Sequence, residues 1–243
     1  MKKALTAITF AAAALTAQAH HVWIEQDTKG ATLYFGEFGD NLREASPGLL
    51  DKFVSPTAQH LSARGERALT PARNASGFAL GIRAAKGESI VAEETTYPIS
   101  ENKQGDKVTR SLYQPAARLV TDFSAQKPRL TLDLVPTGKS GKDGVEFQAF
   151  YKGQPLPKAK VELVNSSGWA QGHETDAEGK VIARLPWKGT YVLELSHRDT
   201  TGGERTGGEK WERASYVTSL TVLQSTGLAA LPVPPAAAPN KAN

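Results

Sequence analysis

The residues best placed to do chemistry are a histidine pair, His20 and His21, directly after Ala17-Gln18-Ala19. Lys2 and Lys3 precede an apolar run from Ala4 to Leu15, and Ala17-Gln18-Ala19 has the small-x-small form of a signal-peptidase site. Cleavage after Ala19 would make His20 the first residue of the mature chain. Its α-amine would then titrate at about 7.7–8.0, where a divalent metal can displace the proton at neutral pH. The amine and imidazole of His20 could chelate one ion, the arrangement called a histidine brace. Alternatively, the amine, the deprotonated amide of His21 and the His21 imidazole form fused chelate rings, which suit square-planar Ni(II) or Cu(II). Both modes need a free terminus, so processing itself would create the site.

The remaining histidines are more ambiguous. Along Gly189–Ser196, Tyr191, Leu193, Leu195 and His197 fall on one face of a strand, with Val192, Glu194 and Ser196 on the other. His197 therefore suits either a half-buried, hydrogen-bonded side chain or a third metal ligand. His173, before a turn, and His60, after a short helix, read as solvated. No HxH, HxxxH or His/Asp cluster makes a self-contained site, so any site must be assembled from distant segments. The chain has no Cys, and its one Met is Met1, so the soft-ligand route to Cu(I) is closed. Imidazole, amine and amide donors favour Ni(II), Co(II) or Cu(II). Other chemistry is thin: GxSxG, P-loop, GxGxxG and HExxH motifs are all missing.

Bulk composition excludes several classes. Of the 29 basic residues, Lys2 and Lys3 leave with the leader, so the mature balance against 25 acidic residues is close to neutral. Without basic runs, nucleic acid is not an expected partner. The Ala4–Leu15 run is too short for a membrane span of about 20 residues, and the absence of Cys removes a lipid anchor. The expected location is the periplasm, and the expected state a monomer.

The elements that must position these histidines read as strands. Short β-patterned runs separated by Gly, Pro and Asn/Asp predict an all-β chain of two mainly antiparallel β-sandwich domains. These are placed at residues 20–137 and 144–224, after a signal peptide over residues 1–19. Pro136–Gly144, with Gly138, Gly141 and Gly144, is the expected boundary. Val22–Glu25 and Ala31–Gly36 read as the opening strand pair, with Val22 and Ile24 toward the core and His21 beside Trp23 on the other side. One short helix is expected at Gly48–Phe53, and a hairpin turn at Thr175–Gly179. Two TGGE repeats, Thr201–Glu204 and Thr206–Glu209, read as a flexible loop. Residues 225–243, rich in Ala and Pro, read as an extended, disordered tail.

The second half resembles an immunoglobulin-like, carboxypeptidase-regulatory or transthyretin-like module. The resemblance is carried by Gly153-Gln154-Pro155-Leu156-Pro157-Lys158-Ala159-Lys160-Val161, Thr175-Asp176-Ala177-Glu178-Gly179-Lys180 and Leu185-Pro186-Trp187-Lys188-Gly189-Thr190-Tyr191. Through these, Ala19-His20-His21-Val22-Trp23-Ile24-Glu25 and Glu194-Leu195-Ser196-His197, the chain is similar to an exported bacterial family. Some members of that family are described as periplasmic components of nickel or cobalt uptake. The resemblance implies a metal role for the terminal histidines and raises His197 as a third ligand. One departure stands out: the family often has a single His followed by Asp or Ala, whereas this chain has a pair.

These features predict a non-enzymatic periplasmic protein that binds Ni(II), Co(II) or Cu(II) through His20, His21 and His197. It would pass the ion to a membrane metal transporter or an outer-membrane receptor. The alternative is a module that recognises a protein or glycan without metal. A copper oxidase would want a second His beside the brace, and the sequence offers no such signature.

Overall fold

A computed structural model describes residues 20–240, so the expected leader over residues 1–19 lies outside the described residues. The fold is all-β, built of several mainly antiparallel sheets without a barrel, consistent with a β-sandwich.

The largest sheet has nine strands and draws on both halves of the chain. From one edge it runs through Ala170–Glu174, Lys160–Asn165, Gly189–Asp199, Arg213–Gln224, Lys107–Val120, Ser89–Glu93, Thr57–Ser62 and Gly65–Leu69, with Ser100–Gln104 hairpinned onto Lys107–Val120. The halves meet where Lys107–Val120 pairs parallel with Arg213–Gln224, from Ser111↔Arg213 to Leu119↔Thr221. A parallel pair needs a long crossover, and here the second half of the chain provides it.

Two further sheets pack on this one. Val22, Ile24, Leu33, Phe35 and Phe78 of the first meet Ala58, Ile90, Ala92, Ala117 and Leu119 in one core. Leu134, Phe147, Ala149, Val181 and Ala183 of the second meet Leu163, Leu193, Leu195, Tyr216 and Leu220 in another. Trp23 packs on Val164 and Val192, on the same face of the large sheet as the first core and opposite the second. The strand Gly189–Asp199 is thus covered on both faces, which is why Tyr191, Val192 and Leu193 are buried consecutively.

Several local expectations change. Pro136–Gly144 is not a linker: Leu132–Gly141 and Gly144–Tyr151 form an antiparallel hairpin through it. Thr175–Gly179 does turn, with Gly179 at φ +74° and its N–H donating to the Asp176 carbonyl. Its flanking strands nevertheless pair in different sheets, so the turn carries the chain across the sandwich. The Gly48–Phe53 helix shrinks to one 3-10 turn, Leu49–Lys52. The TGGE segment forms a small hairpin, Gly203–Glu204 with Lys210–Trp211, whose Arg205 donates to the carbonyls of Thr95 and Tyr97.

The Ala/Pro-rich tail is extended, as expected, but it is bonded along its course. Leu228 bridges Trp187, and Ala237 bridges Leu42. Asn41 Nδ2 donates to the Pro234 carbonyl at 2.9 Å. Four prolines among residues 231–240 stiffen this run and remove donors that would need partners.

Candidate metal centre

Alternation along His21–Gln26 sorts the opening residues as expected. Val22 and Ile24 enter the first core, while Trp23 turns the other way and is completely buried. Trp23 is thus a packing residue and not the cover of a site. Two hydroxyls fix the start of the opening strand. Tyr113 Oη donates to the His20 carbonyl at 2.6 Å, and Ser219 Oγ donates to the Val22 carbonyl at 2.5 Å. Burial pushes the Tyr113 phenol well above its ordinary range, so it remains a donor.

His20 leans on Phe35, with ring centroids 5.1 Å apart. Its Nε2 lies 2.6 Å from Glu44 Oε1. Glu44 follows Arg43, which pairs with Gly36, so its N–H donates to the Phe35 carbonyl and its side chain stays with that face. Glu44 has no solvent exposure, and Asn240 donates to both of its oxygens. A carboxylate only accepts hydrogen bonds, and its 2.6 Å contact outweighs the 3.1 Å approach of Asn240 Nδ2 to the same nitrogen, so the proton of the neutral His20 ring is assigned to Nε2. That leaves Nδ1 as the lone-pair nitrogen, 3.7 Å from Glu37 Oε1. Burial, with a hydrogen bond to Asp40, holds the Glu37 carboxyl above its usual range, and His20 opposes this.

His21 faces the other way, its Nδ1 3.5 Å from Glu194 Oε2. Glu194 stands opposite Glu162 in the large sheet. Burial pushes the Glu194 carboxyl up to about 8, and the nearby charges of Glu162 and Glu37 add to the shift. Beside them opens a cleft of about 470 Å³, lined by His21, Lys160, Glu162, Gly172 and Glu194 among others. Glu37 feels both His20 and Glu194, so acidic side chains flank the opening strand on both sides.

The structure does not bring His197 to this place. Residues three apart on one strand point to opposite faces, so Glu194 meets His21 while His197 lies on the other side of the sheet. There its ring sits 4.3 Å from Tyr151, and burial lowers its pKa. His60 is not simply solvated: its Nε2 lies 2.8 Å from Glu88 Oε2. His173 shares the core-facing side of Val161, and its Nε2 is buried without a hydrogen-bond partner. Among the described residues, no group of three or more His, Cys, Asp or Glu side chains could hold a metal ion. A metal at His20 would therefore have to draw on the main chain as well as on side chains.

Three partners of the histidines were not singled out from sequence: Glu37, Glu44 and Asn240. Glu44 precedes Ala45-Ser46-Pro47 and resembles a solvated loop acid; no local pattern marks it as buried. Glu194 was visible, because alternation placed it with Val192 on the face away from His197.

The chain belongs to a protein family described as a domain of unknown function, DUF4198, whose model matches residues 17–199. The match takes in His20, Glu44 and Glu194, and it ends before the Arg213–Gln224 strand and the tail. No curated protein matches the chain in sequence.

Proposed function

We propose that this member of the DUF4198 family is an exported, non-enzymatic protein that captures a divalent ion at His20 once its leader is removed. Ni(II), Co(II) or Cu(II) would be its cargo, delivered to a membrane metal transporter or outer-membrane receptor. The second half is read as the immunoglobulin-like, transthyretin-like module that carries this terminus.

One observation carries the reading: Glu44 occupies Nε2, the His20 nitrogen that cannot chelate with its own amine. Nδ1 is the nitrogen that can, because amine, Cα, Cβ, Cγ and Nδ1 close a six-membered ring on the metal. A metal-ligating imidazole commonly donates its other N–H to a carboxylate, which fixes the tautomer and raises ligand basicity. Glu37 Oε1, 3.7 Å from Nδ1, sets a carboxyl oxygen beside that nitrogen, which suits a cation over an anion. His21, beside Glu194 on the opposite face, is a second station, while His197 has no part in the site.

Isothermal titration of the chain beginning at His20 with Ni(II), Co(II), Cu(II) and Zn(II) tests this. Stoichiometric binding of at least one of the first three supports the reading. Heats indistinguishable from dilution for all four would leave the protein- or glycan-recognition module in its place.

A further inference from the structure

We infer that the C-terminal strap, residues 225–240, completes the His20 site, with Asn240 acting as a positioning residue for the Glu44–His20 pair. This rests on the metal reading above but makes a separate structural claim.

The strap leaves the large sheet at Gln224 and crosses the molecule to the opening strand. Its path is held by the Leu228 N–H donating to the Pro186 carbonyl at 2.9 Å and by the Ala237 N–H donating to the Asn41 carbonyl at 3.3 Å. At its end, the Asn240 N–H donates to Glu44 Oε2 at 3.0 Å. Asn240 Nδ2 donates to Glu44 Oε1 at 2.7 Å and stands 3.1 Å from His20 Nε2. Glu44 thus receives the strap on both oxygens and the imidazole on one.

The physical consequence concerns orientation. Asn240→Ala takes one of the three donors from this completely buried carboxylate and loss of residue 240 takes two, and the carboxylate must then rotate or draw in water, because an unsatisfied buried acceptor is costly. If it rotates, Nε2 loses the acceptor that fixes its proton, and the imidazole can exchange tautomers. Asn240 would never touch the metal, yet its loss would leave Nδ1 protonated for part of the time. The Pro-rich composition suits this role, since a stiff extended run sacrifices little chain entropy when it docks. The strap lies outside the residues matched by the family model.

The test compares the metal-free mature chain with Asn240→Ala and with a chain ending at Pro239. Nitrogen NMR of His20 should give a single Nε2–H tautomer in the parent and a mixture in both variants, with thermal melts unchanged. If His20 nitrogen shifts are identical in all three, the positioning role is overturned. Titration with Cu(II) should then show about tenfold weaker binding in both variants, the scale of lost outer-shell support. Should the parent bind no metal while the tautomer still changes, the metal reading fails and the strap's role stands.

Discussion

Arg118 and Asp133 form a completely buried, two-pronged pair: Nε donates to Oδ1 at 2.9 Å and Nη2 to Oδ2 at 2.6 Å. Further hydrogen bonds hold both groups. Arg118 also donates to Ser89 Oγ, and Asp133 accepts from the N–H groups of Arg129, Leu130 and Leu134. The pair ties the strand Lys107–Val120 of the large sheet to Leu132–Gly141 of its neighbour. Removing one partner strands a buried charge, so Asp133→Asn should cost about 3–5 kcal/mol in urea unfolding. A loss below about 1 kcal/mol would mean the pair is not shielded from water as described.

Glu194 supplies a pH-dependent prediction. Its folded pKa is raised to about 8 from an ordinary value of 4.5. Between those two pH values the unfolded chain ionises its carboxyl while the folded one stays protonated. Ionisation thus favours the unfolded chain, and stability falls as pH rises through that window. Glu194→Gln cannot ionise and should be free of this loss. Its melting temperature, relative to the parent, should climb from pH 4.5 to pH 8 and level off above. A pH-independent difference would show that burial, Glu162 and Glu37 do not hold the proton on Glu194.

The two nominated neighbours of the metal should behave oppositely. His197→Ala should leave metal affinity unchanged, because its ring lies across the sheet beside Tyr151. Glu44→Gln should weaken binding about tenfold or more, because the amide is a poorer acceptor for His20 Nε2. Titration calorimetry on both variants decides it. An affinity loss confined to His197→Ala would reverse the assignment.

What the sequence revealed followed period and punctuation. The alternation Val22, Ile24 against His21, Trp23 was readable because one face is wholly apolar, and so was Glu194 against His197. Strand ends were less so: Lys107–Val120 and Arg213–Gln224 reach back well beyond their apolar runs. Lys107–Ser111 is mostly polar and exposed, and it is pairing with Ser100–Gln104 that extends this strand. The hairpin Thr57–Ser62 with Gly65–Leu69 was missed for the same reason, as its second strand is almost wholly exposed. The parallel join of the halves and the Glu44–Asn240 contact were invisible because each depends on residues about 100 or more apart meeting in space. No local spacing records such a meeting.

In the proposed site the His20 amine and Nδ1 hold the ion together. Acetylating the amine of the chain beginning at His20 removes the terminal donor while leaving every side chain, Glu44 and the strap in place. Titration with Ni(II) and Cu(II) before and after acetylation should show affinity falling at least tenfold, about 1.4 kcal/mol. Equal affinity in the acetylated and free chains would contradict the account and place the metal elsewhere.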